Sequence, residues 1–314
     1  MCASTQHERT GKVVVSHGAW YEVDLGEAGR VRARIRGRFR IGDRTEIHPV
    51  VVGDEVRVRL EPDGTGLILE RLPRRNQLVR RAAGGQNLAQ VLVANVDLAI
   101  CVQSVHQPRF NPGFLDRFLV AAESYGIPGA LCVNKIDLAQ KRDWRWLEPL
   151  LRVYAALGYP VVRTSAHTGE GLAELRALLS GRVCVFSGPS GVGKSSLLNA
   201  LQPGLKLRVG EVSPATEKGR HTTTFVALYR LDLGGYVVDT PGLREFGLWN
   251  ISPEELGHYF PEMRSLLGAC RFHNCTHAHE PGCAVREAVA RGAIAPWRYE
   301  SYLAMLATLE EAES

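Results

Sequence analysis

A glycine-rich segment at residues 188–195 has the spacing of a phosphate-binding loop, with two fixed glycines followed by Lys194 and Ser195. An apolar run precedes it and an apolar helix-like stretch follows, so the pattern predicts a strand, a loop and a helix. In that setting backbone N–H groups surround phosphate oxygens at the positive end of a helix dipole. Lys194 is expected to bridge the β- and γ-phosphates, and the Ser195 hydroxyl to ligate Mg²⁺. The predicted phosphate-binding residues are Gly188, Pro189, Ser190, Gly191, Val192, Gly193, Lys194, Ser195 and Ser196.

The sequence Asn-Lys-Ile-Asp at residues 134–137 is typical of a loop that reads guanine. The Asp137 carboxylate can accept hydrogen bonds from the ring N–H and the exocyclic amine of guanine, whereas adenine would leave it unpaired. A Ser-Ala-His run at residues 165–167 resembles the second base-contacting loop, with His167 where that loop usually carries lysine. The residues predicted to contact the base are Asn134, Lys135, Ile136, Asp137, Ser165 and Ala166.

An Asp-Thr-Pro-Gly sequence at residues 239–242 follows an apolar strand-like run and predicts a nucleotide-sensing switch. We expect Asp239 to hold Mg²⁺ through a water molecule and the Gly242 N–H to face the γ-phosphate. The segment at residues 218–224 should supply a threonine that closes over the metal, and Thr222 and Thr223 are the candidates. An ordinary strand start is the alternative interpretation, because threonine is common in strands.

The residue after the switch glycine is Leu243, where many GTPases have a glutamine that orients the attacking water. Leucine has neither a donor nor an acceptor for that task. Intrinsic hydrolysis is therefore expected to be slow, with the water positioned by His221 or by a bound partner. A solvated loop histidine is the alternative interpretation of His221. The predicted catalytic residues are Lys194, His221, Thr222 and Thr223.

Three cysteines with metal-ligand spacing lie near the end of the chain, and a Pro-Gly turn precedes the last of them. They are Cys270, Cys275 and Cys283, and the candidate imidazoles among them are His273, His277 and His279. Three thiolates and one imidazole make a closed tetrahedral zinc site, which leaves no open position and predicts a structural metal. A disulfide would need an oxidising compartment, which nothing in the sequence indicates. The other cysteines are Cys2, Cys101, Cys132 and Cys184.

Arginine occupies every second position from residue 30 to residue 40. Period-two alternation predicts a strand with the guanidinium groups on one face, and short strand-like runs around it predict a small β-barrel. We expect the arginine face to bind RNA phosphates in a salt-sensitive manner, and a solvated barrel face is the alternative. The predicted RNA-binding residues are Arg30, Arg32, Arg34, Arg36, Arg38 and Arg40.

Alternating strand-like and helix-like segments from residue 91 onwards predict a mostly parallel sheet with flanking helices. Residues 91–102 read as its first strand, and the region before them lacks periodicity and indicates a basic connector. After residue 239 the pattern changes to helices around the Cys/His cluster. The predicted fold is therefore a multi-domain α/β protein. Its predicted domains are a barrel at 1–72, a linker at 73–90, a GTPase domain at 91–248 and a helical zinc-binding domain at 249–314.

Composition agrees with several globular domains, since 45% of the 314 residues are hydrophobic and 23% are charged. The net charge is +5, and most of the excess lies in the first 80 residues, which hold 15 lysines and arginines against 11 acidic residues. No basic region followed by an apolar core begins the sequence, and polar residues interrupt the longest apolar stretches. We therefore expect a cytoplasmic monomer with no membrane partner.

The order of the motifs is permuted, because the guanine-reading loop precedes the phosphate-binding loop and the switch. This order, together with residues 219–224 and the Cys/His cluster, resembles the circularly permuted ribosome small-subunit-dependent GTPase A family over nearly the whole chain. The resemblance implies that the barrel is an OB-fold, that the P-loop GTPase domain is circularly permuted, and that His277 is the fourth zinc ligand.

The resemblance also implies a function: hydrolysis of GTP to GDP and phosphate as a switch that the small ribosomal subunit and its rRNA stimulate, late in subunit maturation. A nucleotide-gated RNA-binding module with incidental hydrolysis is the alternative, and stimulation of turnover by the small subunit separates the two. A P-loop kinase is disfavoured by Asp137 and would be exposed by ATP competing equally with GTP.

Overall fold

The computed structural model describes residues 8–35, 49–81, 89–205, 226–239 and 251–313, and the chain forms two compact units. The first unit comprises Met1–Leu98, Leu179–Phe186 and Gln202–Leu243, and the second comprises Ala99–Leu178, Ser187–Leu201 and Arg244–Ser314. The units do not follow the limits of the predicted domains, which stay predictions. The residues singled out in the sequence that lie outside the described ranges are Cys2, Arg36, Arg38, Arg40, His221, Thr222, Thr223, Gly242 and Leu243.

A closed five-stranded barrel opens the first unit. Its strands are β1 (Glu8–His17), β2 (Trp20–Asp24), β3 (Arg30–Ile35), β4 (Glu55–Leu60) and β5 (Gly66–Arg71). They pair in the order β1-β2-β3-β5-β4, and β4 pairs back to β1, which closes the barrel with the strand order of an OB-fold. Only the β3–β5 pairing is parallel among these. The interior is apolar and consists of side chains from alternate positions of the strands, including Val13, Val23, Val31 and Ile68.

Strand β3 shows the alternation that the arginine pattern predicts. Arg30, Arg32 and Arg34 are exposed, whereas Val31 and Ala33 between them are buried. Because successive side chains of a strand point to opposite faces, the three guanidinium groups share the outer face of the barrel.

Three further strands of the first unit are β11 (Val183–Ser187), β12 (Ala227–Arg230) and β13 (Tyr236–Asp239). β13 lies between β11, to which it is parallel, and the antiparallel β12. β12 also pairs with barrel strand β1. The buried Asp24 carboxylate at the end of β2 fixes this junction, since it accepts a hydrogen bond of 2.9 Å from the Tyr236 hydroxyl and lies 3.5 Å from Arg230.

Two antiparallel strands, β6 (Gln77–Arg81) and β7 (Ala89–Ala94), lie partly within the predicted connector. The strand predicted at residues 91–102 is wrong as a single element, because it ends at Ala94 and a second strand, β8 (Leu98–Ser104), begins four residues later. Asn95 breaks it with a φ of 54°. The Asn95 side chain stabilises the break, since it accepts a hydrogen bond from Arg75 N at 2.9 Å and donates to Gly53 O at 3.1 Å.

The second unit contains a parallel group of strands, β8, β9 (Gly129–Asn134) and β10 (Val161–Arg163). Its helices are α1 (Pro112–Ser124), α2 (Lys141–Ala156), α3 (Leu172–Leu179) and α4 (Lys194–Leu201). Every residue of β8 and β9 is buried, as expected for parallel strands covered on both faces. The loops at the carboxyl ends of such strands are the usual place for a ligand site.

The end of the chain is helical, as predicted. A 3₁₀ turn (Leu256–Tyr259) and the helices α5 (Pro261–Arg264), α6 (Ala284–Ala290) and α7 (Pro296–Glu313) follow one another. α7 packs on α1, and Arg298 of α7 is fully buried at this contact. Within the described ranges, each helix is too short or too polar to cross a lipid bilayer.

Candidate nucleotide-binding and metal sites

The glycine-rich loop joins β11, which is buried throughout, to α4. Gly188 has a φ of 148°, and a Cβ at this position would lie 2.1 Å from the backbone oxygen of Val102. Gly193 has a φ of 93°, and a Cβ there would lie 2.5 Å from Nδ2 of Asn134. Both close approaches exclude any other residue type, so the two fixed glycines of the motif have a geometric cause.

Asn134 connects three loops of the second unit. Its Nδ2 donates to Val192 O in the glycine-rich loop at 2.8 Å. Its Oδ1 accepts hydrogen bonds from Thr164 Oγ1 at 3.2 Å and from Ala166 N at 3.3 Å. Asn134 is buried, so these bonds are shielded from water. The side chain therefore holds the predicted guanine-reading loop, the Ser165 loop and the phosphate-binding loop in one arrangement.

Two lysine ammonium groups lie against the glycine-rich loop. Lys135 adopts the left-handed conformation, with a φ of 60°, and its Nζ donates to Gly191 O at 2.6 Å and to Gln107 O at 2.5 Å. Lys194 Nζ donates to the carbonyl oxygens of the first two residues of the loop at 2.7 and 3.0 Å. The Lys135 side chain thus spans from the guanine-reading loop to the phosphate-binding loop. A lysine that covers one face of a bound guanine ring would need this placement.

The carboxylate of Asp137 is oriented by Ser165. Ser165 Oγ donates to Asp137 Oδ1 at 2.5 Å and accepts hydrogen bonds from the backbone N–H groups of His167 and Thr168 at 3.2 and 3.1 Å. Asp137 itself is exposed and follows Ile136 in a 3₁₀ turn. An exposed carboxylate whose one oxygen is fixed by a hydroxyl can accept hydrogen bonds from a ligand with its remaining lone pairs.

The switch region is described only up to Asp239, which ends β13. β13 is parallel to β11, with Val183 opposite Tyr236 and Val185 opposite Val238. The chain of Asp239 therefore leaves its strand in the same direction as the chain that enters the phosphate-binding loop. The predicted switch and catalytic residues beyond it, and those at 221–223, lie outside the described ranges.

The Cys/His cluster brings four side chains together. The ligand atoms of Cys270, Cys275, His277 and Cys283 all lie within 4.8 Å of one another. His277 Nδ1 is 3.4 Å from the sulfur atoms of both Cys270 and Cys283, which are 3.9 Å apart. The two rival histidines, His273 and His279, are exposed and belong to no cluster of candidate ligands among the described residues.

Groups from α7 and from the loop itself hold the cluster in place. The Tyr299 hydroxyl donates to His277 O, and the Tyr302 hydroxyl donates to Thr276 O, each at 2.7 Å. Glu280 accepts hydrogen bonds of 2.7 Å from both the backbone N–H and the hydroxyl of Thr276. Cys283 caps α6 by accepting a hydrogen bond from Arg286 N. The ligand loop therefore depends on a helix that begins more than ten residues after its last ligand.

Sequence reasoning missed the parts of the site that act through the backbone. Gln107 contributes only its carbonyl oxygen to Lys135, and the Ser104 hydroxyl fixes the same loop by donating to Pro108 O at 2.7 Å. Every residue type has a backbone carbonyl, so a contact of this kind cannot be recognised from the sequence. Tyr299 and Tyr302 were also missed, since tyrosines on a helix read as packing residues until their partners are known.

The chain matches two family models and is similar to named proteins over most of its length. The family model described as RsgA GTPase matches residues 71–249, and the model described as RsgA N-terminal domain matches residues 10–68. A protein of Bacteroides thetaiotaomicron named small ribosomal subunit biogenesis GTPase RsgA 2 is 42% identical, over 96% of this chain and 97% of its own. A Gemmatimonas aurantiaca protein named small ribosomal subunit biogenesis GTPase RsgA is 46% identical, over 94% of this chain and 95% of its own.

Two solved structures are similar to this chain over nearly all of its length. The crystal structure of YjeQ from Thermotoga maritima is 40% identical, with a TM-score of 0.82, and the alignment covers 96% of this chain and 98% of that one. The structure of YloQ, described as a circularly permuted GTPase, is 32% identical, with a TM-score of 0.80, and covers 99% and 98%. The predicted OB-fold and the permuted GTPase fold are thus confirmed.

Proposed function

This chain belongs to the RsgA GTPase family, and from that premise we propose that it hydrolyses GTP to GDP and phosphate in the biogenesis of the small ribosomal subunit. The observation that carries the proposal is the connection through Asn134 of the guanine-reading loop to the phosphate-binding loop. A site that holds both loops in one arrangement selects a guanine nucleotide and positions its phosphates together.

Guanine selection rests on Asp137 in this proposal. Ser165 fixes one carboxylate oxygen of Asp137, so the carboxylate is oriented before a base arrives. Preorganisation of this kind lowers the cost of binding, because the side chain has little freedom left to lose. The predicted base contacts at Asn134, Lys135, Ile136, Ser165 and Ala166 belong to the same proposal.

Hydrolysis is attack of water on the γ-phosphorus, with GDP as the leaving group. Lys194 places its positive charge at the β- and γ-phosphates, where negative charge develops. Leu243 offers no group to orient the water, so the proposal assigns that task to His221 or to the bound ribosomal partner. Intrinsic turnover is accordingly slow and partner-stimulated turnover is faster.

Ser195 and Asp239 are the proposed magnesium ligands, because hydroxyl and carboxylate oxygens are the hard donors that this ion prefers. When bound, the ion neutralises charge on the β- and γ-phosphates. Thr222 and Thr223 are the proposed switch threonines, and the Gly242 N–H is the proposed γ-phosphate contact.

Zinc is the metal that we propose for the Cys/His cluster. Tetrahedral zinc bonds of about 2.0–2.3 Å require ligand atoms about 3.6–3.8 Å apart. The observed separations of 3.4 and 3.9 Å among Cys270, His277 and Cys283 match that requirement. Four protein ligands close the site, so a zinc ion would stabilise the loop and take no part in hydrolysis.

The proposed partner is the small ribosomal subunit with its rRNA, which the arginine face of β3 would contact through phosphates. The proposal is completed by a cytoplasmic location, where ribosomes assemble, a monomeric state and action late in maturation. A nucleotide-gated RNA-binding module with incidental hydrolysis is the competing function.

GTP turnover with and without purified small ribosomal subunits tests the proposal, at low and raised salt and with ATP as the control nucleotide. Strong, GTP-selective and salt-sensitive stimulation supports a switch triggered by the subunit. Turnover that subunits leave unchanged would favour the binding module, and equal use of ATP would overturn guanine selection by Asp137.

A further inference from the structure

A cleft of about 460 Å³ opens on the outer face of the barrel, at the turn between β1 and β2. The residues that line it are His17, Trp20, Tyr21, Glu22 and Arg32. Its volume lies in the range of small-molecule sites, and its lining combines an aromatic ring with charges of both signs. All of these residues belong to barrel strands.

Arg32 lies over an aromatic ring at this cleft. Its Cζ is 4.3 Å from the ring centroid of Trp20, which is within cation–π distance. Arg32 sits on β3 opposite Glu22 of β2, so Trp20 is its diagonal neighbour across the strands. Arg32 itself is exposed.

Two exposed arginines of the barrel are paired with carboxylates, whereas Arg32, within the described ranges, is not. Arg30 lies 4.0 Å from Glu22 and 3.9 Å from Asp24, and Arg57 pairs with Glu8 and Glu70. No carboxylate of the described residues lies within ion-pair distance of Arg32. Among the described residues, the charge of Arg32 therefore has no carboxylate to offset it.

The Glu22 carboxylate favours binding of a nucleobase over binding of a phosphate in this cleft. Its carboxylate lines the same cleft, so a phosphate that entered would meet a like charge. A nucleobase is uncharged, stacks on guanidinium and indole planes, and can donate its exocyclic amine to a carboxylate. The combination of a stacked Arg–Trp pair with an acceptor thus favours a base over a phosphate.

We propose that the Arg32–Trp20 pair is a stacking platform for one unpaired, amine-bearing nucleobase of RNA. The base adds to the stack on the guanidinium side, and Glu22 accepts from its amine. The inference deepens the proposed function, because it names what the barrel recognises in rRNA: an extruded base, in addition to the phosphate charges expected from the arginine strand.

The test is binding of a single-stranded cytidine hexanucleotide to the full-length protein. Arg32→Lys keeps the charge and loses the plane, so we expect it to weaken binding about 5- to 100-fold with an unchanged salt dependence. Trp20→Leu should weaken binding by a similar factor, and Trp20→Phe by less, because the ring is kept. Arg57→Lys, on an ion-paired arginine of the same barrel, is the matched control and should bind as wild type does.

Equal affinities of wild type and Arg32→Lys would overturn the inference, and so would an RNA duplex that competes as well as the single strand. Weaker binding of intact small subunits by Arg32→Lys, with hexanucleotide binding unchanged, would mean that the cleft takes a ribosomal protein, and would also overturn it. Stimulation of GTP turnover by small subunits is measured on the same preparations. Its absence in the wild type, with the Arg32→Lys effect retained, would refute the proposed function and leave the stacking platform standing.

Discussion

Arg298 of α7 donates from Nη1 to Oδ1 of Asp116 on α1 at 2.6 Å, and both side chains are completely buried. Glu262 of α5 accepts two further hydrogen bonds from Arg298, at 2.7 and 3.1 Å, and the Phe260 ring lies 4.7 Å from its Cζ. Burial alone lowers the pKa of Arg298, but Asp116 and Glu262 more than offset this and raise it, so the guanidinium stays charged. This cluster links α5 and α7 to α1.

Arg298→Met should destabilise the protein by about 3–5 kcal/mol, because it leaves two buried carboxylates without a cation. Urea unfolding measures the effect. Arg264→Met removes an arginine from an exposed pair with Glu123 and should cost less than about 1 kcal/mol. A triple variant, Arg298→Met with Asp116→Asn and Glu262→Gln, should recover part of the loss. Equal effects of the two single variants would contradict the role of burial.

Ser165→Ala should weaken GDP and GTP binding about tenfold, because the Asp137 carboxylate loses the hydroxyl that orients it and hydrogen bonds to charged groups contribute about 1.5–3 kcal/mol. Titration with a fluorescent guanine nucleotide measures the affinity. Ser124→Ala removes a hydroxyl that donates to Ala121 O within its own helix and serves as the control. Wild-type affinity in Ser165→Ala would show that Asp137 needs no orientation.

His221→Ala should lower turnover stimulated by the small subunit and leave GTP affinity nearly unchanged, since the imidazole is proposed to position the attacking water only. Single-turnover hydrolysis with and without subunits measures the first quantity, and nucleotide titration the second. Unaltered stimulated turnover would remove His221 from the mechanism and leave the water to the partner.

Cys275→Ser should retain less than one zinc ion per chain after dialysis and should unfold at a lower temperature, because a closed site loses one of its four ligands. Metal analysis and calorimetry give the two results. His273→Ala and His279→Ala are matched controls, since both imidazoles are exposed and outside the cluster; each should keep one zinc ion. Loss of zinc from either control would mean that the ligand set is different.

Burial is the main cause that raises the pKa of Cys184 to about 12, and the nearby Asp97 adds to it. An unfolded cysteine titrates near pH 8.5, so the folded state keeps a proton that the unfolded state releases above that pH. The stabilisation from this thiol is complete below about pH 8.5 and falls by about 1.4 kcal/mol per pH unit as the pH rises toward 12.

The stability difference between wild type and Cys184→Ala should therefore shrink between about pH 9 and pH 10. Urea unfolding at several pH values measures it. Val185→Ala, an apolar change in the same buried strand, should show a difference that stays constant with pH. A constant difference for Cys184→Ala as well would show that the folded thiol titrates at its ordinary pKa.

Local patterns carried most of the sequence-based prediction. The alternation of arginines from Arg30 to Arg34 with Val31 and Ala33 predicts which face of the strand is exposed to solvent, and the structure confirms it. The spacing of Cys270, Cys275 and Cys283 encodes the cluster within 14 residues of chain, and the structure selects His277 from three candidates. Both features involve residues close together in the sequence, so alternation and spacing are enough to reveal them.

Long-range partners had no such signal. In the sequence Arg298 reads as one polar residue of a helix, because its partner Asp116 is 182 residues away. The break at Asn95 was missed for a similar reason, since the residues on either side are apolar and the partner at Gly53 lies 42 residues earlier. Sequence periodicity reports the environment of a residue, whereas the identity of a distant contact depends on the completed fold.

The separation of Asp116 from Arg298 also sets an order of events during translation. A ribosome that adds about 5–20 residues per second needs about 10–40 seconds to cover the 182 positions between them. Throughout that interval the nascent α1 carries a carboxylate whose cation has not been made. Asp116 can form its ion pair only after α7 has been synthesised, so a helix made late in this interval completes the surroundings of one made at its start.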